Sequence, residues 1–135
     1  LSALAPGAAH ADPLRALTPL LEVFAAEGES PGWDVAGIRC AGLVYAQESW
    51  RQDHGGPGPT RVLLRQAAVA LEQAVQHRIG LGQDLTTATL SVEDDLHRVH
   101  GLYLARFAED VAAGTDLGGD PLLLGDAGYC KAALR

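Results

Sequence analysis

Apolar residues recur along this chain at helical spacing, three or four positions apart, in five separate segments. The clearest stripe, between residues 60 and 79, consists of Leu64, Ala68, Leu71, Val75 and Ile79. No segment shows the sustained alternation of apolar and polar residues that is typical of a strand. The pattern therefore predicts an all-α protein.

Glycines and prolines divide the chain into five predicted helices. These cover residues 13–26, 33–53, 60–79, 91–113 and the segment from 121 to the end. Pro19 interrupts the first helix, which is predicted either to kink there or to begin again with Thr18 as its cap. Ser91 is predicted as the N-cap of the fourth helix, and residues 81–90 fit either a loop or a first helical turn.

The second predicted helix is apolar on every side, which is typical of a helix at the centre of a bundle. Small residues such as Gly37 and Gly42 would let neighbouring helices approach it closely. Short connections between the helices favour antiparallel neighbours. We therefore expect residues 12–135 to form a single-domain bundle of four to five mostly antiparallel helices.

The first eleven residues resemble the end of a secretion signal. Ala9 and Ala11 occupy the small-residue positions of an Ala-x-Ala cleavage site. In an exported protein, the two cysteines Cys40 and Cys130 are expected to form a disulfide that joins the last helix to the central one. The alternative is a pair of buried free thiols. The sequence thus predicts a periplasmic or secreted protein, and its high Ala, Gly, Leu and Arg content suggests a bacterial source.

The net charge, the length of the apolar runs and the motifs of the chain argue against several classes of function. The 135 residues carry a net charge of −7, which argues against a nucleic-acid partner because phosphate binding requires a basic face. No apolar run approaches the ~20 residues of a transmembrane helix. The chain also has no Gly-x-Ser-x-Gly nucleophile motif, and no set of residues can be assigned the roles of acid, base and nucleophile.

One set of residues has the chemistry of a metal site. Glu93, His97 and His100 share one face of the fourth predicted helix. Carboxylate and imidazole groups suit a divalent transition metal such as zinc, with a fourth ligand from His77 or His54 if the bundle brings one near. Alternatively, His100 is a buried histidine with a hydrogen-bond partner, while Glu93 and His97 form an ordinary surface pair.

Two tryptophans, Trp33 and Trp50, lie near the two ends of the central predicted helix. They either line a ligand groove or cover the ends of the core. We therefore expect an exported helical binding or accessory module, without catalytic activity or cofactor, that presents a surface to a protein partner or a groove to a small ligand. The alternative is a metal- or cofactor-binding bundle that uses Glu93, His97 and His100.

Overall fold

The computed structural model describes residues 12–26 and 32–135, which form one helical bundle. The predicted all-α fold is confirmed: five α-helices and one short 3₁₀ turn are present in the described residues, with no strand. They are α1 (Leu20–Ala26), α2 (Trp33–His54), α3 (Arg61–Gly80), α4 (Leu85–Ala112), the 3₁₀ turn (Leu117–Gly119) and α5 (Pro121–Ala133). The predicted cleavage site at Ala9 and Ala11 lies outside the described residues.

The central position predicted for the second helix is confirmed. Residues 36–44 of α2 are all buried, and α2 contacts α3, α4 and α5. Gly32 lies near His77 and Gly37 near Ala70, so α2 and α3 run antiparallel. Because α3 and α4 are joined by a loop of a few residues, α4 returns alongside α2 in the same direction as α2. α1 packs mainly against α5.

The fourth helix begins earlier than predicted. Asp84, not Ser91, is its N-cap, and the Asp84 carboxylate accepts a hydrogen bond from the backbone N–H of Thr87 at 2.7 Å. This bond lowers the pKa of the Asp84 carboxyl. Ser91 lies inside the helix, where its hydroxyl donates to the carbonyl of Ala88 at 3.1 Å. The prediction was wrong because both residues have capping chemistry, and packing of the buried Ala88 extends the helix toward Asp84.

The first helix is shorter in the structure than the apolar pattern of residues 13–26 predicts. Residues 13–16 form a turn in which the Asp12 carboxylate accepts from the backbone N–H of Leu14 at 2.9 Å. The regular helix begins only after Pro19, whose carbonyl accepts from the N–H groups of Glu22 and Val23. The helix does start after the proline, which is one of the two predicted outcomes, but Pro19 and not the predicted Thr18 is the residue before its first turn.

The last helix begins at Pro121 as predicted, and Asp120 is its N-cap. The Asp120 carboxylate accepts from the backbone N–H of Leu122 at 2.9 Å and from two guanidinium nitrogens of Arg106, at 2.6 and 2.9 Å. The arginine lowers the pKa of Asp120 strongly. This one carboxylate therefore both caps α5 and connects it to α4.

The predicted disulfide is confirmed. The sulfurs of Cys40 and Cys130 are 2.10 Å apart, and their Cα atoms 5.3 Å apart. The bridge joins the middle of α2 to α5, and both cysteines are buried.

Substitution by alanine at two helical glycines should change the stability of the protein in opposite directions. A Cβ at Gly42 would collide with the side chain of Val99, where α2 and α4 meet, whereas a Cβ at the exposed Gly101 of α4 would meet nothing. We expect Gly101→Ala to raise the free energy of unfolding by about 0.5–1 kcal/mol, because alanine is the better helix former. In Gly42→Ala, the cost of overpacking outweighs the same gain in helix propensity. This substitution should therefore lower the free energy of unfolding by about 1 kcal/mol.

Urea denaturation of the two variants beside wild type measures both effects. Each variant is the control for the other, since the chemical change is identical. Equal shifts in the two variants would contradict the close approach of α2 and α4 at Gly42.

Candidate functional site

The predicted metal ligands do not form a metal site in the structure. Glu93 and His97 are exposed on α4, while His100 is half-buried with its Nε2 2.9 Å from the hydroxyl of Ser49. Burial lowers the pKa of His100, and the neighbouring His97 lowers it further. Across residues 12–26 and 32–135, no three His, Cys, Asp or Glu side chains are grouped to hold a metal ion.

The two histidines considered as a fourth ligand lie elsewhere. His54 stacks on Trp50, with ring centroids 3.7 Å apart, and His77 lies 3.7 Å from the carboxylate of Asp34. The position of His100 agrees with the alternative interpretation, a histidine held by a hydrogen bond. This geometry does not favour the metal site, which stays a prediction for elemental analysis of the purified protein.

A buried charged cluster around Arg39 was missed by the sequence analysis. The Arg39 guanidinium donates to Asp126 at 2.7 Å and to the hydroxyl of Tyr103 at 3.1 Å, and that hydroxyl donates to Asp126 at 2.6 Å. The other oxygen of Asp126 accepts from the backbone N–H of Leu20 at 2.8 Å. Burial raises the pKa of Tyr103 well above its usual range. Since Arg39 and Asp126 have no exposed surface, a ligand has no access to them, and the cluster joins α1, α2, α4 and α5.

A second polar cluster holds α2, α3 and α4 together. Arg78 of α3 donates to Asp34 of α2 at 3.0 Å and to Asp95 of α4 at 2.7 Å. It also donates to the hydroxyl of Ser91 at 2.9 Å. This contact gives Ser91 a structural role that differs from the predicted cap.

Trp50 covers one end of the core. Its ring stacks on His54 and meets the ring of Phe107 edge-on, with centroids 5.7 Å apart. Trp50 does not line either of the two grooves described below. Its contacts therefore agree with the core-covering interpretation.

Trp33 lines a concave surface between the beginning of α2, the first half of α3 and the end of α5. This surface, the Trp33 groove, has a volume of about 350 Å³. Its lining residues are Trp33, Val62, Arg65, Gln66, Val69, Ala70, Gln73, Ala133, Leu134 and Arg135. Val62 and Val69 are each about half exposed, which is unusual for valines and leaves apolar area open to a ligand.

The indole of Trp33 is held against the bundle. Its Nε1 is buried and has no hydrogen-bond partner among the described residues. A Cβ placed at Gly37, one turn along α2, would lie 3.4 Å from this nitrogen and 3.0 Å from the carbonyl oxygen of Ala70. The absence of a side chain at Gly37 thus lets the indole and α3 approach each other, which shapes the wall of the groove.

A second groove runs between α3 and α4 and has a volume of about 440 Å³. Its apolar lining comes from Leu71, Val75, Leu85, Val92 and Leu96. Its polar lining comes from Glu72, Gln76, Thr89 and Glu93. Glu93, predicted as a metal ligand, is therefore an acidic residue of this groove.

Comparison with known proteins finds no matching family model, no similar curated protein and no similar solved structure. In the part of the chain that the structure describes, no helix has both the length and the apolar character needed to cross a membrane.

Proposed function

We propose that this protein is an exported, non-catalytic binding module that takes a small ligand in the Trp33 groove. The observation that carries the proposal is the composition of this groove: an indole and several apolar side chains form its walls, and a few polar side chains converge on it. Binding sites for small molecules have this composition, and about 350 Å³ lies within their usual range of volumes.

We also propose that the protein resides in the periplasm of a bacterium or is secreted. The disulfide between Cys40 and Cys130 supports this compartment, because such bonds persist in oxidising surroundings. The predicted Ala9-x-Ala11 cleavage site points the same way. The proposal is tested by releasing the protein from its own cells directly into denaturant that contains an alkylating reagent. Neither cysteine should be alkylated, because both are in the disulfide, and two alkylated cysteines would contradict the proposal.

Tryptophan fluorescence provides a direct test of the groove. In a Trp50→Phe background, Trp33 is the only tryptophan, so its emission reports on the groove alone. We expect 1-octanol, an uncharged probe of suitable size, to shift this emission in a saturable manner. Ala133→Phe should abolish the shift, because Ala133 lines the groove and a phenyl group there would fill it.

Ala132→Phe is the matched control. Ala132 precedes Ala133 on α5 but is exposed and does not line the groove, so its variant should retain the octanol response. Circular dichroism of both variants checks that the helices are intact. An emission that no alkyl probe changes, or an octanol response that Ala133→Phe leaves intact, would overturn the proposed groove.

A further inference from the structure

The cationic side chains of this acidic protein are distributed unevenly. The chain has ten Lys and Arg residues against 17 Asp and Glu residues. Six of the ten lie within ion-pair distance of a described carboxylate: Arg15, Arg39, Arg51, Arg78, Arg98 and Arg106. Most cations are therefore neutralised within the protein.

The other four cations occur as two pairs. Arg61 and Arg65 are one turn apart in the first half of α3, while Lys131 lies in the last turn of α5 and Arg135 two residues beyond the end of that helix. All four are exposed, and none forms an ion pair with a carboxylate of residues 12–26 or 32–135.

The fold brings one member of each pair to the same place. Arg65 and Arg135 both line the Trp33 groove, although 70 positions separate them in the sequence. No acidic side chain of the described residues lines this groove. The groove between α3 and α4 has the opposite character, with Glu72 and Glu93 in its lining and no cation among its described residues.

We infer that the ligand of the Trp33 groove is a small amphiphilic anion: an organic acid with an apolar body and one anionic head group. Its apolar body would lie against Trp33, Val62 and Val69, and its head group would be bound by Arg65 and Arg135. The planar guanidinium of arginine donates two parallel hydrogen bonds to a carboxylate, which makes this residue suited to the role. The volume of about 350 Å³ lies within the range of small-molecule sites.

Charge complementarity excludes the opposite ligand. An amphiphilic cation of the same size would meet two guanidinium groups and no acidic side chain among the described lining residues, at a site where the partly apolar walls weaken the screening by water. The inference rests on the proposed function, because it specifies the ligand of the same groove. Its test must therefore separate the charge preference from binding itself.

Three probes with the same alkyl chain make this separation: octanoate, 1-octanol and octylammonium, each titrated at neutral pH and low salt into the Trp50→Phe protein while Trp33 emission is recorded. We expect octanoate to bind about tenfold more tightly than octanol, the factor that corresponds to one well-formed charged contact. Octylammonium should bind more weakly than octanol. Added salt should weaken octanoate binding and leave octanol binding unchanged.

Arg65→Gln identifies the groove as the source of this preference. The variant should lose most of the tenfold preference for octanoate while its affinity for octanol stays the same. Arg98→Gln is the matched control, since Arg98 is also a partly exposed arginine of a long helix but pairs with Asp95 and lines neither groove. It should behave like the parent protein with all three probes.

The possible results lead to distinct conclusions. Equal affinities for octanoate and octanol, or a preference that Arg65→Gln does not change, would overturn the anion inference and leave the proposed binding groove standing. If none of the three probes binds, both the inference and the proposed function fail. Loss of octanol binding in Arg65→Gln would show that the arginine shapes the groove instead of selecting charge, and would also overturn the inference.

Discussion

Replacement of both Cys40 and Cys130 by alanine is expected to lower the free energy of unfolding by about 4–5 kcal/mol. The cysteines are 90 positions apart, so the bond closes a long loop and removes much conformational freedom from the unfolded chain. For a domain of this size, the loss is a large fraction of the total stability expected, about 5–15 kcal/mol. The variant should therefore unfold at a markedly lower denaturant concentration than the oxidised protein.

Urea denaturation with and without a reducing agent measures this effect. Reduced wild type is the control for the variant, since it lacks the covalent bond but keeps both sulfur atoms in the core, where the two cysteines are almost completely buried. Close agreement between reduced wild type and the double alanine variant would assign the loss to the bond itself. A midpoint that does not respond to the reductant would contradict the expected contribution.

Asp126→Asn is expected to lower the free energy of unfolding by about 3–5 kcal/mol. Asparagine has nearly the shape of aspartate, but it leaves the Arg39 guanidinium charged and without its counter-ion in the core. Arg39 and Asp126 have no exposed surface, so water cannot replace the lost partner. The Tyr103 hydroxyl, which donates to Asp126 at 2.6 Å, would lose its charged acceptor as well.

Two controls separate the buried charge from charge removal in general. Glu48→Gln removes one partner of a partly exposed ion pair, with Arg51 on the same helix, and should change the unfolding midpoint far less. The double variant Arg39→Met, Asp126→Leu removes both buried charges and should recover only part of the loss. The backbone N–H of Leu20 and the hydroxyl of Tyr103 still lose their acceptor in this variant, and a buried donor without a partner is costly. A single variant as stable as wild type would contradict the burial of this pair.

The two sets of substitutions that are expected to lower the stability lie at neighbouring positions. Arg39 and Cys40 are adjacent on α2, and Asp126 and Cys130 are one turn apart on α5. The covalent bond and the ion pair thus hold the same two helices together at nearly the same level. Since contacts this close can be coupled, the loss in a variant that lacks both is not expected to equal the sum of the separate losses.

The sequence by itself determined the helices and the disulfide. Helical periodicity depends on residues three or four positions apart, so the stripe from Leu64 to Ile79 was sufficient to predict α3. The start of α5 was equally local, because a proline favours the first turn of a helix and Pro121 is found there. The disulfide was predicted from the expectation of export, and free thiols were the alternative; two cysteines allow only one internal pair, which the structure shows.

Local patterns left two possible starts for α1 and for α4. Asp84 and Ser91 are both good N-caps, and the structure places the start of α4 at Asp84, which makes the buried Ala88 part of the helix. Pro19 allowed either a kink or a new start, and the observed start places the backbone N–H of Leu20 against the buried Asp126 carboxylate, 106 positions away. A contact over this distance along the chain is not visible in a local pattern.

Only the tertiary structure decided which polar residues act together. An arginine on an apolar helix gives no local sign that an aspartate 87 positions later will neutralise it, so the pair of Arg39 and Asp126 was not predicted. The same holds for Arg65 and Arg135 in the Trp33 groove, whereas Glu93, His97 and His100 are regularly spaced on α4 but are not grouped for a metal ion among the described residues. Helix spacing specifies which residues share a face, but the packing of separate helices decides what each face meets.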